Sequence, residues 1–207
     1  QLIGIATTCL TETIGDDVNQ IVKKAYKDGT IPEGKYVVHA ATPSYVGSHV
    51  TGFSNMVKSI AVQMAEKTGK SNGRVNIVPG FVEPSDMAEI KRIAAMLGVN
   101  PILFPDTSGV VNGPLTGKFE MYPKGGTPIS DLKSAGDSMA SIGLGAWASA
   151  EPVKALDAQC KIPCQVQDLP IGLLATDRFV DALRTVAGVS VPDCVTQERG
   201  QLLDVIS

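Results

Sequence analysis

The chain has 207 residues, of which 43% are hydrophobic and 19% are charged. This apolar content is sufficient for a packed core and excludes an intrinsically disordered chain. The formal net charge of −3 offers no basic surface for nucleic acid, and no apolar run approaches the roughly 18 residues that a membrane span requires.

Apolar periodicity predicts strands that alternate with helices. Strands are predicted at 1–8, 35–41, 74–78, 101–104, 138–144 and 162–167. Helices are predicted after a polar turn at about 16–28, then at 53–67, 84–97, 151–159, 176–186 and 197–207. The Gly/Pro-rich stretch 105–128 is longer than a median connection, so we expect it to be functional or a contact surface. The predicted fold class is α/β, a doubly wound, mostly parallel sheet flanked by helices.

Two residues with metal-ligand chemistry follow neighbouring strands of this predicted sheet. Cys9 ends the first strand, and Ser44 lies just beyond the second. If the two strands are adjacent and parallel, both side chains emerge at the carboxyl edge of the sheet, where ligands of such folds bind. The alternative from spacing alone is a buried free thiol and a turn-forming serine after Pro43.

A second glycine-rich stretch imitates a dinucleotide-binding fingerprint. The Gly-x-Gly-x-x-Ala run from Gly143 to Ala148 follows a strand, and Asp168 comes about 20 residues later. It lies late in the chain, however, and Trp147 would crowd a pyrophosphate. Tight packing of a turn explains these glycines better.

The other cysteines lack the pattern of a metal site. Cys160 and Cys164 have C-x3-C spacing, but no second Cys/His pair completes the four ligands of structural zinc, so core thiols are expected. Cys194 stands alone. Four cysteines without a signal peptide favour free thiols in a reducing compartment, the cytoplasm.

The two histidines are weak candidates for catalysis. His39 lies inside a strand pattern, which favours a core histidine with satisfied hydrogen bonds. His49 is in the loop after Ser44, so a Ser–His pair is conceivable. No G-x-S-x-G sequence surrounds Ser44, which argues against a hydrolase.

Two longer motifs carry a family resemblance. The segment 7–17 (TTCLTETIGDD) resembles the TTC-x-x-E-x-IGDD motif of nitrogenase component 1 β subunits, and 42–52 (TPSYVGSHVTG) resembles their TPS loop. NIVPGFVEP at 76–84 and ERGQLLD at 198–204 follow in the expected order. The resemblance to this molybdenum-iron protein family covers essentially the whole chain.

The resemblance implies a role for both candidate ligands. Cys9 occupies the position of a thiolate ligand of the P-cluster, an 8Fe-7S centre shared with the α subunit. Ser44 occupies the position of a serine that binds an iron of this cluster through its oxygen after oxidation. Thiolates are the usual protein ligands of iron–sulfur clusters. The iron-molybdenum cofactor belongs to the α subunit, so no catalytic residue is expected in this chain.

The resemblance also implies partners and a function. It predicts an α2β2 dinitrogenase that reduces N2 to ammonia and evolves H2. The β subunit would relay electrons from the ATP-using iron protein through the P-cluster to the α subunit. The family places the docking face of the iron protein near Glu12, Thr13, Gly15 and Asp16.

Three alternatives remain open at this point. A cofactor-assembly scaffold of the same fold is the first, although its β-like partner typically lacks the cysteine after the TT pair. Dark-operative protochlorophyllide reductase shares the architecture but is more distant in these motifs. The third is an α/β domain without any metal.

The resemblance further implies that the chain is an incomplete piece of a longer β subunit. The first residue is Gln1 rather than Met, and the other cluster cysteines of the family lie upstream of the TTC motif. We expect one α/β domain over 1–207 with the cluster edge in 1–55, and a subdivision, if it divides, near 125. The segments 104–110 and 121–127 favour the molybdenum type. The isolated piece is predicted to be inactive.

Overall fold

The structure, a computed structural model, describes residues 1–121 and 123–206. Its strands are β1 (Leu2–Ala6), β2 (Tyr36–Ala40), β3 (Val75–Val78), β4 (Pro101–Leu103), β5 (Ala140–Leu144) and β6 (Cys164–Gln167). Its helices are α1 (Cys9–Ile14), α2 (Val18–Lys27), α3 (His49–Met64), α4 (Pro84–Met96), α5 (Ile129–Ser134), α6 (Ala146–Cys160), α7 (Leu173–Ala187) and α8 (Asp193–Ile206). Tyr122, within the molybdenum-type segment, and Ser207, at the end of the last predicted helix, lie outside the described residues.

The strands form two parallel sheets. β1 and β2 pair in register from Leu2 opposite Tyr36 to Ala6 opposite Ala40. The other four strands form a second sheet in the order β4-β3-β5-β6, and every pairing in it is parallel. The predicted α/β class with parallel strands flanked by helices is confirmed, while the division into two sheets is new. Because the domain limits rest on the family resemblance, the subdivision near 125 stays a prediction.

Helix α3 connects the two sheets. Its buried positions recur at helical spacing, with Val57 and Ala61 packed in one core cluster beside Val38 of β2. Val153 and Leu156 of α6 belong to the same cluster, so α3 packs on the first sheet and against a helix of the second. The loop between β2 and α3, which carries Ser44, is therefore anchored in the core at both ends.

Helices α4 and α7 cover the opposite face of the four-stranded sheet. Ile90 of α4 and Phe179 of α7 pack in a second core cluster with Ile77 and Ile142 of the central strands. Helices on both faces make this sheet doubly wound. No helix in residues 1–121 or 123–206 has the length and apolar character to cross a membrane.

Several local expectations were wrong, among them the start of α8, which begins at Asp193 rather than at 197. The segment after Cys9, expected to be a turn, is the short helix α1, which Thr8 caps by accepting the N–H of Thr11 (3.3 Å). Helix α3 begins at His49 rather than at 53. Helix α6 begins at 146 rather than at 151 and contains Pro152 in its buried interior, because packing on the sheet outweighs the preference of proline for a first turn.

The connection between α3 and β3 is held by one carboxylate. Asp137 accepts hydrogen bonds from the Thr68 hydroxyl (2.6 Å) and from the backbone N–H groups of Thr68 and Gly69 (both 3.0 Å). The Thr68 hydroxyl is the main cause of a lowered pKa of Asp137, and burial opposes it. The charged carboxylate thus ties the loop after α3 to the segment before β5.

We predict that Asp137→Asn lowers the thermal unfolding temperature at pH 7 and makes this temperature decrease less steeply as the pH is lowered. Because the pKa of Asp137 is lowered in the folded protein, its charged carboxylate stabilises the fold at pH values above the unfolded-state pKa of about 3.9. This contribution is lost as the pH falls through the lower pKa of the folded state. Melting curves from pH 2 to pH 7 test it. Thr68→Val should show a smaller effect of the same sign, and parallel pH profiles for Asp137→Asn and the unmodified protein would contradict the assignment.

Candidate metal centre

Cys9 and Ser44 meet at the carboxyl edge of the two-stranded sheet. The Sγ of Cys9 lies 2.8 Å from the Oγ of Ser44, and the backbone N–H of Ser44 donates to the same sulfur at 3.1 Å. The expectation that parallel strands bring these side chains to one edge is confirmed. One part of the alternative, a buried thiol, is wrong, because Cys9 is only half-buried. The other part, a turn-forming serine, is confirmed, since Ser44 lies in a turn where the N–H of Val46 donates to the Pro43 carbonyl oxygen at 3.2 Å.

The paired strands guide both residues to this position. Beyond the last paired residues, the N–H of Thr7 still donates to the carbonyl oxygen of Ala40 at 3.1 Å. Cys9 then begins α1, and the chain after β2 turns through Pro43 to Ser44. The two donors are separated by 35 residues in sequence, but each stands only a few residues past the ladder.

The surroundings of the sulfur favour its thiolate form. The hydroxyl of Ser44 lowers the pKa of the Cys9 thiol most, the backbone N–H of Ser44 adds to the effect, and burial opposes both. The backbone of Tyr45 contributes a further lowering. Because the thiolate is the form that binds metals, this environment prepares Cys9 as a ligand.

The donor set suits an iron centre. A soft thiolate lies beside a harder hydroxyl oxygen, a combination that iron accepts. Within the part of the chain that the structure describes, no group of three or more His, Cys, Asp or Glu side chains could hold a metal ion. An iron centre bound here would need further ligands from outside these residues.

Large exposed apolar side chains lie close to the pair in sequence. Leu10 and Ile14 lie one helical turn apart on α1 and are 69% and 63% exposed, and Tyr45 and Val46 are 65% and 62% exposed. We call these four residues the apolar collar. Neighbouring exposed apolar residues of this kind are typical of an interaction surface.

The residues expected to contact a docking partner lie directly after Cys9. Thr13 donates its hydroxyl to the carbonyl oxygen of Cys9 at 2.7 Å, and Gly15 ends α1 in a left-handed conformation with φ 78°. Asp16 is exposed, whereas Glu12 is half-buried and turned towards the sheet. These residues lie within α1 or directly after it, and their contact with a partner stays a prediction.

The family model for nitrogenase component 1 type oxidoreductases matches residues 1–207. The chain belongs to this family. It is 50% identical over 205 residues to the nitrogenase molybdenum-iron protein beta chain of Clostridium pasteurianum, covering 99% of this chain and 45% of that protein. It is 36% identical over 216 residues to the Methanococcus maripaludis protein of the same name, covering 100% of this chain and 46% of that protein.

A solved structure of nitrogenase Cp1 at pH 6.5 is also similar to this nitrogenase component 1 family member. It superposes with a TM-score of 0.95 at 50% sequence identity and covers 98% of this chain and 44% of that chain. This chain therefore spans about 45% of the length of the relatives that it matches. The resemblance inferred from the motifs at Cys9 and Ser44 is confirmed at the level of the family.

Neither histidine of this family member supports a hydrolytic site. The ring of His49 packs edge-on against Phe81 with 5.5 Å between ring centroids, so its contact is aromatic. The backbone N–H and carbonyl of His39 bond to the side chain of Gln63 at 3.3 and 2.8 Å. These bonds involve the backbone of His39, which is half-buried rather than a core residue.

Packing explains Gly143 of the fingerprint-like stretch, as expected, whereas Gly145 adopts a positive φ of 71°. A Cβ at Gly143 would lie 3.0 Å from the Cβ of Ser149 and 3.3 Å from a methyl group of Val153. Ser149 donates its hydroxyl to the Leu144 carbonyl oxygen, which closes the turn. Trp147 is 90% exposed at the start of α6.

The remaining cysteines differ from Cys9 in their surroundings. Cys160 is buried in the core, as expected, and burial raises the pKa of its thiol. Cys164 is half-buried rather than a full core residue, and burial and then Asp157 raise the pKa of its thiol. Cys194 is exposed on α8.

The sequence did not reveal that three further residues form hydrogen bonds at this edge, namely Thr7, Thr42 and Glu12. Threonine after a strand is compatible with the strand pattern itself, and an acidic residue in a first helical turn is explained by the helix dipole. A signal was nevertheless present, since each threonine stands two positions before a candidate ligand.

We predict that Ser44→Ala raises the pKa of the Cys9 thiol and slows its alkylation by iodoacetamide at pH 7 in the metal-free protein. The variant removes the hydroxyl that is the main cause of the lowered pKa. Because thiolates of higher pKa are more nucleophilic, the two rate profiles should cross at alkaline pH. Mass spectrometry measures the rates with Cys194 as internal reference and Ser44→Thr as control. Superimposable pH–rate profiles would refute the assignment.

Proposed function

We propose that this chain acts as part of the β chain of a molybdenum-iron nitrogenase and relays electrons at the P-cluster edge. The observation that carries the proposal is the 2.8 Å contact between Cys9 and Ser44, each within the family motif where a cluster ligand is expected. The lowered pKa of the Cys9 thiol supports it further. Both Cys9 and Ser44 lie within residues 1–55, the segment assigned to the cluster edge.

The 8Fe-7S cluster, when bound, supplies storage for the electrons that pass to the cofactor. Cys9 would provide the thiolate that holds the cluster, in keeping with the usual ligand of iron–sulfur centres. Ser44 holds a hydroxyl proton beside this sulfur. If this proton passed to solvent, the oxygen would become a hard anionic donor that suits iron of higher positive charge. Ser44 would therefore bind in the oxidised state and leave in the reduced state.

We infer the proposed partners from the family to which the chain belongs. The α subunit and the upstream part of the β chain would supply the other cluster ligands, and the apolar collar would be covered in the α2β2 assembly. The iron protein, which uses ATP, would dock near Glu12, Thr13, Gly15 and Asp16. N2 would be reduced to ammonia, with H2 evolved, at the iron-molybdenum cofactor in the α subunit. This function belongs to a reducing compartment, the cytoplasm.

The first test replaces cysteines in the full-length α2β2 complex. Cys9→Ala is expected to lower the iron content and to change the cluster spectrum, because it removes the thiolate ligand. Cys194→Ala is the matched control, since this thiol is exposed on α8, and it should change neither. Wild-type iron content and spectrum in Cys9→Ala would overturn the proposal.

The second test concerns Ser44 in the same complex. We expect Ser44→Ala to change the midpoint potential and the spectrum of the oxidised cluster, while the reduced spectrum is unchanged. Ser48→Ala is a suitable control, because Ser48 lies in the same loop and its side chain makes no capping hydrogen bond. An unaltered potential and oxidised spectrum in Ser44→Ala would exclude the redox-linked bond.

Turnover distinguishes the enzyme from a cofactor-assembly scaffold of the same fold. The purified complex is mixed with iron protein, ATP and a reductant, and ammonia is measured. Steady formation of ammonia is the expected result. A complex that binds its clusters but forms no ammonia would favour the scaffold.

A further inference from the structure

Two threonines continue the ladder of the two-stranded sheet beyond its last backbone pair. Thr7 and Thr42 each stand two residues before a candidate ligand. The N–H of Thr42 donates to the Oγ1 of Thr7 at 3.0 Å, and the Oγ1 of Thr42 donates to the carbonyl oxygen of Thr7 at 2.8 Å. This reciprocal pair joins the two chain segments immediately before Cys9 and Ser44 leave the sheet.

Glu12 determines the orientation of the Thr7 hydroxyl. The Oγ1 of Thr7 donates to a carboxylate oxygen of Glu12 at 2.5 Å, whereas the carbonyl oxygen of Ala40 is 3.4 Å away. A hydroxyl has only one proton to donate. Because that proton goes to Glu12, the lone pairs of Thr7 Oγ1 remain available for the N–H of Thr42. Each group in the network therefore donates and accepts in a compatible way.

The network is better shielded from water than Ser44. Thr7 is only 7% exposed, and Glu12 and Thr42 are half-buried, whereas Ser44 is exposed. Hydrogen bonds with less access to water hold their geometry more firmly. Glu12 also belongs to α1, whose first residue is Cys9, so the same carboxylate ties the helix that carries the sulfur to the sheet.

We propose that Thr7, Thr42 and Glu12 form a clasp of positioning residues that sets the separation of the Cys9 sulfur and the Ser44 oxygen. The proposal rests on the proposed function and deepens it. With the clasp closed, the Ser44 oxygen stays within reach of the metal centre that Cys9 binds. With the clasp open, the loop after β2 moves relative to α1, and the oxygen loses its preferred position.

The test uses Thr42→Val and Thr42→Ser in the full-length complex. Valine matches the shape of threonine but removes the hydroxyl donor to Thr7, whereas serine retains it. We expect Thr42→Val to shift the midpoint potential of the cluster in the same direction as Ser44→Ala. The expected change in the ratio of oxidised to reduced cluster is roughly tenfold, or about 59 mV for one electron. Thr42→Ser should restore the wild-type potential.

A control and a second pair of variants keep the test decisive. Thr30→Val removes an exposed hydroxyl that bonds to Asp28 away from the site, and it should leave the potential unchanged. If Thr42→Val fails to assemble, Glu12→Ala and Glu12→Gln decide. Glu12→Ala should shift the potential, and Glu12→Gln, which keeps an acceptor for Thr7, should not.

A measurement without metal provides an independent readout. In the metal-free full-length protein, Thr42→Val should slow the alkylation of Cys9 at pH 7, as Ser44→Ala does, because both weaken the contact between Ser44 and the sulfur. Thr42→Ser should react at the wild-type rate. Equal rates in Thr42→Val and the wild type, with an unchanged cluster potential, would overturn the clasp.

The outcomes separate the clasp from the proposed function. If Cys9→Ala leaves the cluster intact, the proposed function fails whatever Thr42 does. If Cys9→Ala and Ser44→Ala change the cluster while Thr42→Val and Glu12→Ala behave as wild type, only the clasp fails.

Discussion

The candidate centre depends on the parallel pairing of β1 and β2. Parallel strands end at the same edge of a sheet, so the residues that follow them meet although 35 positions separate Cys9 from Ser44. Helix α2 provides the crossover that parallel neighbours require. A one-residue slip in this short ladder would turn the side chains at the strand ends to the other face. Correct register is therefore the condition for every contact at the site.

The second sheet supports this edge through α3. The helix begins at His49, directly after the loop that carries Ser44, and buries Val57 and Ala61 between β2 and α6. Close packing leaves such a helix little freedom to shift. The loop consequently has a fixed start in β2 and a fixed end in α3. A large part of the fold thus acts as a scaffold for a few exposed residues near the N-terminal strands.

Within the described residues, the edge offers too few donors to hold a metal ion by itself. Cys9 supplies one thiol whose pKa is lowered, and Ser44 supplies one hydroxyl. Exposure of the apolar collar to water is unfavourable in free energy unless another surface covers it. The proposed metal centre, shared with another subunit, would account for both the small donor set and the exposed apolar residues. The membership in the nitrogenase component 1 family is consistent with this interpretation.

The sequence by itself determined the fold class, the family and the common edge of Cys9 and Ser44. Hydrophobic periodicity indicates where strands and helices alternate, and the ligand motifs are continuous runs of residues. Both can therefore be recognised in the sequence alone. Only the tertiary structure decided that the strands form two sheets, that α1 follows Cys9, and that Thr7 bonds to Glu12 and Thr42. The sheet division and the bonds across the clasp depend on which distant segments pack together. A threonine at a strand end has the same local pattern whether its hydroxyl faces solvent or closes a clasp, and packing alone makes that choice.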